Sequence, residues 1–299
     1  MRSVHSILRY VLAAAVVLTA AACSSGDDGI VLGGGGSKPA QPTGSLAARL
    51  EMPAPLAGNR VIAHWTISGT DSVLTYCLEY DSDKYHSRWV AFRFDGATRA
   101  RNVGRKDYSI RPQYPRDPQL TDRYIEDDAS FNGYQHGHLC ASADRLYSRL
   151  ANDQTFYMTN MSPQKGDFNG GYWTRFEEFV QRCGRSAAFA DTLYVVKGGT
   201  IAEGQYSHRV ARSRMVVPKY YFIALLKVKN NVYSAVAFWV KHDSYGYDFD
   251  HQAPASVVAE HAVSVDELEE LTGIDFFHNL PDAVESTVES GFVAANWGL

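Results

Sequence analysis

Short runs rich in β-branched and aromatic residues recur along the chain and are typical of β-strands. Six such runs are predicted strands: residues 60–68, 72–80, 88–94, 192–196, 219–229 and 232–240. The last two flank Lys229-Asn230-Asn231, which suits the tight turn of a β-hairpin. Residues 265–272 predict a short helix, because Ser264 and Glu267 have the three-residue spacing of a capping box.

A second group of elements is predicted between residues 133 and 180. Residues 154–161 contain Phe, Tyr, Met and Thr without Gly or Pro, which predicts a strand that ends at Met161-Ser162-Pro163. From Tyr172 onward, three large apolar residues recur at i, i+3 and i+7, as on one face of an amphipathic helix: Trp173, Phe176 and Val180. The segment therefore predicts a strand–loop–strand–loop–helix unit.

Composition divides the chain into three parts. Residues 1–22 combine two arginines with a short apolar run and small residues, which indicates a signal peptide; a transmembrane span needs about 20 apolar residues. Residues 23–44 contain GGGGS and KPAQPTG and predict a flexible tether. Residues 45–299 suit a single domain. We expect an α+β fold, with a central, mostly antiparallel sheet and helices on its faces.

Polar side chains with catalytic potential are concentrated in residues 133–180, which contain GYQHGHLCASADR, QTFYMTNMSPQ and FNGGYWTRFEEFV in that order. His138 carries an imidazole with an ordinary pKa near ~6.5, so it can accept a proton from water at neutral pH. The side-chain oxygens of Asn169 and Glu177 are of the kind that Mg²⁺ prefers, and Mg²⁺ keeps several of its own waters. The segment therefore predicts hydrolysis assisted by one metal ion.

The same segment resembles the active-site core of the DNA/RNA non-specific endonucleases, the ββα-metal nucleases related to mitochondrial endonuclease G. The family signature D-R-G-H corresponds to Gln135-His136-Gly137-His138. Its T/S-N-x-x-P-Q strand end corresponds to residues 159–164, and its N-x-G-x-W helix entry to residues 169–173, with Glu177 four residues later. Similarity extends more thinly from about Arg60 to Pro281. The resemblance implies an inserted ββα-metal unit beside the central sheet.

The resemblance also implies roles for individual residues. His138 corresponds to the general base and Asn169 to the metal ligand, with Mg²⁺ as the ion and Mn²⁺ or another divalent ion as a substitute. Asn160 and Glu177 correspond to groups that hold the ion's waters and orient the site. An upstream arginine of the family steadies the phosphate, and its match here is Arg101.

Further contacts to the substrate are expected from four residues: Arg99, which competes with Arg101, and Gln164, Arg175 and His136. The implied activity is metal-dependent cleavage of DNA and RNA to 5′-phosphate products. The formal net charge is −4, but a nuclease needs local positive potential rather than a basic chain. Basic side chains are most frequent in residues 99–106, followed by Arg111 and Arg116.

Gln135-His136 departs from the Asp-Arg pair of the family. Gln135 can act as a hydrogen-bonding brace. His136 replaces a permanent cation by a titratable one, which predicts weaker or more pH-dependent activity. The altered pair also supports an alternative function, that of a non-catalytic surface lipoprotein that binds nucleic acid or another ligand on the same scaffold.

Two further alternatives concern the chemistry of the site. His136 and His138 lie on one face of a strand and could ligate Zn²⁺, although a structural zinc site usually has four protein ligands. The site could also hydrolyse small phosphate esters instead of polymers. Tyr172 and Trp173 are expected to pack in the core, with stacking on nucleobases as the alternative.

The cysteines bear on export and on disulfide formation. Ala20-Ala21-Ala22-Cys23 resembles a bacterial lipobox in which Cys23 becomes the lipidated first residue, although Ala20-x-Ala22 also suits ordinary signal peptidase. We therefore expect an exported protein that is lipid-anchored at the bacterial outer membrane or cell surface, or is otherwise periplasmic or secreted. Among Cys77, Cys140 and Cys183 at most one intramolecular disulfide can form, with Cys140–Cys183 and free buried thiols as alternatives.

Overall fold

The computed structural model of the protein describes residues 45–120 and 126–299. These residues contain eleven strands: β1 (Arg60–Ser68), β2 (Asp71–Asp81), β3 (His86–Phe94), β4 (Gln135–His138), β5 (Met161–Gln164), β6 (Thr192–Gly199), β7 (Tyr206–Arg209), β8 (Val216–Pro218), β9 (Tyr220–Lys229), β10 (Val232–Lys241) and β11 (Ala262–Val263). Seven of them form one antiparallel sheet in the order β1-β2-β3-β6-β9-β10-β11. Strands β4 and β5 form a separate pair, as do β7 and β8.

Five α-helices accompany the strands in the described residues: α1 (Arg149–Gln154), α2 (Thr174–Arg185), α3 (Val257–Glu260), α4 (Val265–Thr272) and α5 (Asp282–Glu289). A π-helical turn, Phe168–Trp173, leads directly into α2. The predicted cap of α4 is confirmed, because the Ser264 hydroxyl accepts a hydrogen bond of 3.1 Å from the backbone N–H of Glu267. The fold is α+β with a mostly antiparallel central sheet, as the sequence predicts.

The central sheet is covered on both faces. Along β3, Val90 and Phe92 belong to one buried cluster together with Phe176 of α2. Trp89 and Ala91, the alternate residues, belong to a second cluster, which includes residues of α4. Because successive side chains of a strand point to opposite faces, this division explains why the central strands are apolar at nearly every position.

The predicted strands of the sheet are confirmed, and their ends differ from the prediction by no more than three residues. The predicted hairpin joins β9 to β10. Asn230 and Asn231 have positive φ angles of 49° and 61°. Asn tolerates this left-handed conformation better than most residues do, which is why the pair fits a two-residue turn.

The predicted strand at residues 154–161 is wrong. The chain leaves α1 at Gln154 and forms a turn of 3-10 helix, Met158–Asn160, before the short strand β5. The amide of Asn160 donates to the backbone carbonyls of Thr155 (2.6 Å) and Cys140 (2.9 Å). A side chain that bonds the nearby backbone in this way competes with the strand ladder.

A buried polar network attaches the β4–β5 pair to the central sheet. The Ser162 hydroxyl of β5 lies 2.6 Å from His86 Nε2 of β3 and 2.6 Å from the Tyr221 hydroxyl of β9. All three residues are fully buried, and buried polar groups that are bonded to one another fix the relative position of the elements that carry them. This network holds the strand–strand–helix unit at a defined place on the sheet.

The predicted signal peptide, the tether and the lipidation site at Cys23 lie outside the described residues and stay predictions. In the part of the chain that the structure describes, no helix combines the length and the apolar character needed to cross a bilayer.

Candidate active site

Strand β4 carries the candidate site residues His136 and His138 and packs closely at Gly137. β4 pairs antiparallel with β5, with Gln135 opposite Gln164 and His138 opposite Met161. A Cβ atom at Gly137 would overlap the side-chain atoms of Gln164, so only glycine fits there. The buried Gln164 side chain therefore lies directly against the backbone of β4, and His138 is placed by a tightly fitted strand.

The π-helical turn before α2 carries Asn169. The Asn169 amide nitrogen donates a hydrogen bond of 2.8 Å to Gln135 Oε1, so the expected bracing role of Gln135 is confirmed. This bond uses the donor group of Asn169 and leaves its oxygen as an acceptor. Gly170, the next residue, lies against the ring of Phe249, which a Cβ atom at Gly170 would approach to 2.5 Å. The Asn169 side chain is thus oriented by contacts on both sides of the turn.

These elements surround one cavity of about 410 Å³. Its lining residues are Arg105, Tyr108, Tyr114, Gln135, His136, His138, Ala141, Ser142, Ala143, Asn169, Thr174, Glu177 and Phe249. The fold therefore brings together four of the predicted site residues, which come from β4, the π-helical turn and α2.

His138 is held in a mostly apolar position. The ring of Phe156 meets its imidazole edge-on at 4.9 Å, and Nε2 is a buried nitrogen without a hydrogen-bond partner in the described residues. Burial, together with the nearby charges of Arg105 and Lys197, lowers the pKa of His138 to about 3. The imidazole is therefore neutral at pH 7 and has a nitrogen that can accept a proton.

Glu177 belongs to a group of three charged residues behind the cavity. The buried Lys197 of β6 lies 3.5 Å from a Glu177 carboxylate oxygen and 3.8 Å from Asp144. Burial raises the pKa of Glu177 to about 7, and Lys197 opposes that rise. The sequence analysis missed Lys197, because the predicted strand 192–196 stops one residue before it. In the sequence, the feature that could have indicated Lys197 is a single lysine at the end of an apolar strand.

Neither of the two arginines predicted to steady the phosphate, Arg101 and Arg99, is among the residues that line the cavity. The guanidinium of Arg99 donates to the backbone carbonyls of Ala190 (3.2 Å) and Asp191 (2.6 Å), so it links two loops. Arg101 is exposed and does not line the cavity. Arg105 lines it instead, with its guanidinium 3.9 Å from the centre of the Tyr108 ring. The path of the loop after β3 decides which arginine enters, and that path has no periodic signal in the sequence.

Three other predicted site residues do not line the cavity. Asn160 is fully buried, and its oxygen accepts a bond of 2.8 Å from the Cys140 N–H, so it fixes the backbone after β4. Gln164 packs beneath Gly137. Arg175 donates to the Ala253 carbonyl and pairs with Glu178 at 2.7 Å. The polar groups of Asn160 and Arg175 bond other segments of the chain, and Gln164 contributes through its packing against Gly137.

His136 lines the cavity, and its ring is engaged by neighbouring groups. Its ring is stacked between Tyr114, at 4.2 Å, and Phe131, at 4.1 Å, and its Nε2 donates to the Ala129 carbonyl. Burial lowers its pKa below the ordinary value, so the ring is neutral at pH 7. With Nε2 engaged by a carbonyl, the pair His136 and His138 is also a poor zinc site.

The structure also places the cysteines and the aromatic residues near the site. Cys77, Cys140 and Cys183 are free buried thiols, so the Cys140–Cys183 disulfide is not formed. Tyr172 and Trp173 are buried in the core and are not available to nucleobases. Tyr108 and Phe249 are the exposed aromatic side chains at the cavity, each 64% exposed, and the sequence analysis did not single them out.

Comparison with known proteins gives consistent results. The family model of the DNA/RNA non-specific endonucleases matches residues 57–283. A nuclease of Nostoc sp. is 29% identical over 220 residues, which are 72% of this chain and 75% of the relative. The mitochondrial nuclease EXOG of Homo sapiens is 27% identical over 228 residues, 72% of this chain and 59% of the relative, so the chain spans less than two thirds of that relative. The crystal structure of the EndoG/EndoGI complex matches with a TM-score of 0.60 and 19% identity over 81% of this chain and 95% of that chain, which shows a shared fold.

Proposed function

Because the chain belongs to the DNA/RNA non-specific endonuclease family, we propose that it is a metal-dependent endonuclease that hydrolyses phosphodiester bonds of DNA and RNA to 5′-phosphate products. The observation that carries the proposal is the meeting of His138, Asn169, Glu177 and Arg105 in one cavity. A base, a carboxamide oxygen, a carboxylate and a cation are the groups that such a reaction needs.

The residues fit a hard divalent cation such as Mg²⁺ or Mn²⁺. The Asn169 oxygen is free to ligate an ion, because the hydrogen bond to Gln135 engages only its amide nitrogen. Glu177 is close enough to the cavity to hold the waters of such an ion. A divalent ion held by Asn169 and, through its waters, by Glu177 would supply charge stabilisation at the phosphate and at the leaving 3′ oxygen.

The other residues take the roles of base and phosphate contact. His138 removes a proton from the attacking water, since its imidazole is neutral and its buried Nε2 has no other partner in the described residues. Arg105 holds the phosphate through its permanent charge. Contact with phosphates carries no sequence information, which accounts for cleavage without base specificity.

Two exposed ring faces give the substrate a further contact. Tyr108 stands beside Arg105, and Phe249 stands beside the turn that carries Asn169. Exposed aromatic rings beside a phosphate-binding arginine are suited to stacking on the bases that adjoin the bound phosphate.

Plasmid nicking by the purified protein tests the proposal. We expect cleavage with Mg²⁺, no cleavage with EDTA, and loss of cleavage in His138→Ala and Asn169→Ala. Metal-dependent cleavage that survives His138→Ala would assign the base to another residue. If the folded protein hydrolyses bis-p-nitrophenyl phosphate but leaves the plasmid intact, the substrate is a small ester. If it hydrolyses neither, the protein is a binding protein.

We also propose that the protein is exported and carries a lipid on Cys23, on the basis of the lipobox-like sequence before that residue. Metabolic labelling with a radioactive fatty acid should label the unchanged chain and leave Cys23→Ser unlabelled. Export without labelling would indicate cleavage by ordinary signal peptidase.

A further inference from the structure

Three acidic side chains converge on the face of the sheet opposite the cavity. Asp266 and Glu269 belong to α4, and Glu289 is the last residue of α5. One carboxylate oxygen from each residue lies within 4.8 Å of those of the other two. α4 packs through Leu268 into the second core cluster, whereas the helix entry that lines the cavity packs into the first. The three carboxylates are therefore separate from the proposed active site.

Glu289 is the member of this group that demands an explanation. Its side chain is only 3% exposed, and its Oε1 is buried without a hydrogen-bond partner in the described residues. Leaving a buried carboxylate oxygen unpaired is costly unless a proton or a cation neutralises it. Glu269 by comparison has one donor, the backbone N–H of Phe276 at 2.7 Å from its Oε1.

The described surroundings of the three carboxylates supply more negative charge. Burial, together with neighbouring carboxylates such as Asp275 and Glu285, raises the pKa of Glu289 to about 9 and that of Glu269 to about 7. Within the residues that the structure describes, none of the three carboxylates forms an ion pair with Lys or Arg.

We propose that Asp266, Glu269 and Glu289 form a second metal site, which binds Ca²⁺. Ca²⁺ takes oxygen ligands at about 2.3–2.6 Å, so two ligands on opposite sides of one ion are about 4.6–5.2 Å apart. The observed limit of 4.8 Å between the three oxygens agrees with this size. Asp266 is exposed, which gives the ion a route from solvent and leaves room for water to complete its coordination.

The site has a structural consequence. The ion joins the start of α4 to the end of α5, two elements that are separated in the chain by the segment 273–281. Binding of a ligand to the folded state alone raises the melting temperature in proportion to the logarithm of its free concentration once the site is saturated. Ca²⁺ is therefore expected to stabilise the protein whether or not it is a nuclease.

Thermal unfolding of the purified protein in CaCl₂ and in EDTA tests the site. We expect a rise in Tm with Ca²⁺ that grows with concentration, and its loss in Glu289→Gln and in Asp266→Asn. Glu289→Gln keeps the shape of the buried side chain, and Asp266→Asn changes an exposed one, so both should fold. Isothermal titration of Ca²⁺ should show one fewer site in each variant.

Two controls separate this site from other effects. Glu270→Gln removes the same charge from an exposed position of α4 and should keep the full Ca²⁺ shift. Asn169→Ala, which affects the proposed active-site ion, should keep it as well. No rise in Tm for the unchanged protein, or an equal rise in Glu289→Gln, would overturn the proposal and would show that Glu289 is neutralised by a proton.

Discussion

At the scale of the residue, the cavity shows how burial decides what a side chain can do. His136 and His138 are two residues apart on one strand. The ring of His136 is stacked between two rings and its Nε2 is bonded to a carbonyl, whereas Nε2 of His138 has no hydrogen-bond partner among the described residues. The same comparison separates Arg99 from Arg105, since one guanidinium is engaged by backbone carbonyls and the other lines the cavity.

Arg105 is expected to be the arginine that matters for cleavage. Loss of one well-placed charge contact to a reacting oxyanion lowers the rate by about 10²–10³-fold, so Arg105→Ala should lower kcat/KM to that degree. Arg101→Ala is the matched control and should change it little, because Arg101 is exposed and does not line the cavity. Nuclease assays on both variants at low salt check the assignment. The reverse order of effects would restore Arg101 to the role that the sequence predicts.

Lys197 is expected to stabilise the fold by compensating Asp144 and Glu177. Removing one member of a buried charge group leaves the others unpaired and costs about 3–5 kcal/mol, so Lys197→Met should lower the free energy of unfolding in urea by that amount at pH 7. Lys165→Met, at a half-buried pair with Asp243, should cost at most about 1 kcal/mol. Equal costs for the two variants would contradict this view of Lys197.

At the scale of the element, the residues of the β4–β5–helix unit predicted the order of its elements. Contacts with other elements determine where the unit lies on the sheet. The helix after Tyr172 was predicted from apolar spacing, and the π-helical turn before it was not. That turn depends on Gly170 and Gly171, which lie against the loop that carries Tyr247 and Phe249. A packing partner some eighty residues away cannot be inferred from local spacing.

Phe249 of that loop is expected to bind nucleobases. One stacking contact contributes about 1–3 kcal/mol, so Phe249→Ala should raise KM for single-stranded DNA at least about fivefold. Hydrolysis of bis-p-nitrophenyl phosphate, which has no nucleobase, should be unaffected if the turn stays intact. Leu150→Ala, at an exposed apolar residue of α1, is the control. An equal loss on both substrates would mean that Phe249 supports the turn and does not contact bases.

At the scale of the whole molecule, buried histidines make the stability depend on pH. His86, in the network that joins the β4–β5 pair to the sheet, is fully buried, and burial lowers its pKa to about 4. In the unfolded chain the pKa of histidine is about 6.5. Between these values the unfolded state binds a proton that the folded state does not, so stability is complete above pH ~6.5 and is lost as the pH falls towards 4.

The loss of unfolding free energy caused by His86 is expected to reach about 3 kcal/mol at pH 4. The free energy of unfolding in urea can be measured from about pH 7.5 to about pH 4, roughly the range in which histidine titrates. Over this range it should fall less in His86→Gln than in the unchanged protein. His251→Gln, at an exposed histidine, should keep the original pH dependence. If His86→Gln keeps it as well, other groups carry the acid sensitivity.

The sequence by itself determined six of the seven strands of the central sheet, the hairpin at Asn230-Asn231, the N-terminal cap of α4 and the candidate site residues His138, Asn169 and Glu177, because each follows from local periodicity, turn chemistry or a short motif. Only the tertiary structure decided that Arg105 and not Arg101 lines the cavity, that His136 is stacked between two rings, and that Tyr108 and Phe249 lie at the cavity and Lys197 beside Glu177. These depend on which distant surfaces pack together and on how far packing removes a charge from water, and neither quantity is encoded in the spacing of residues along the chain.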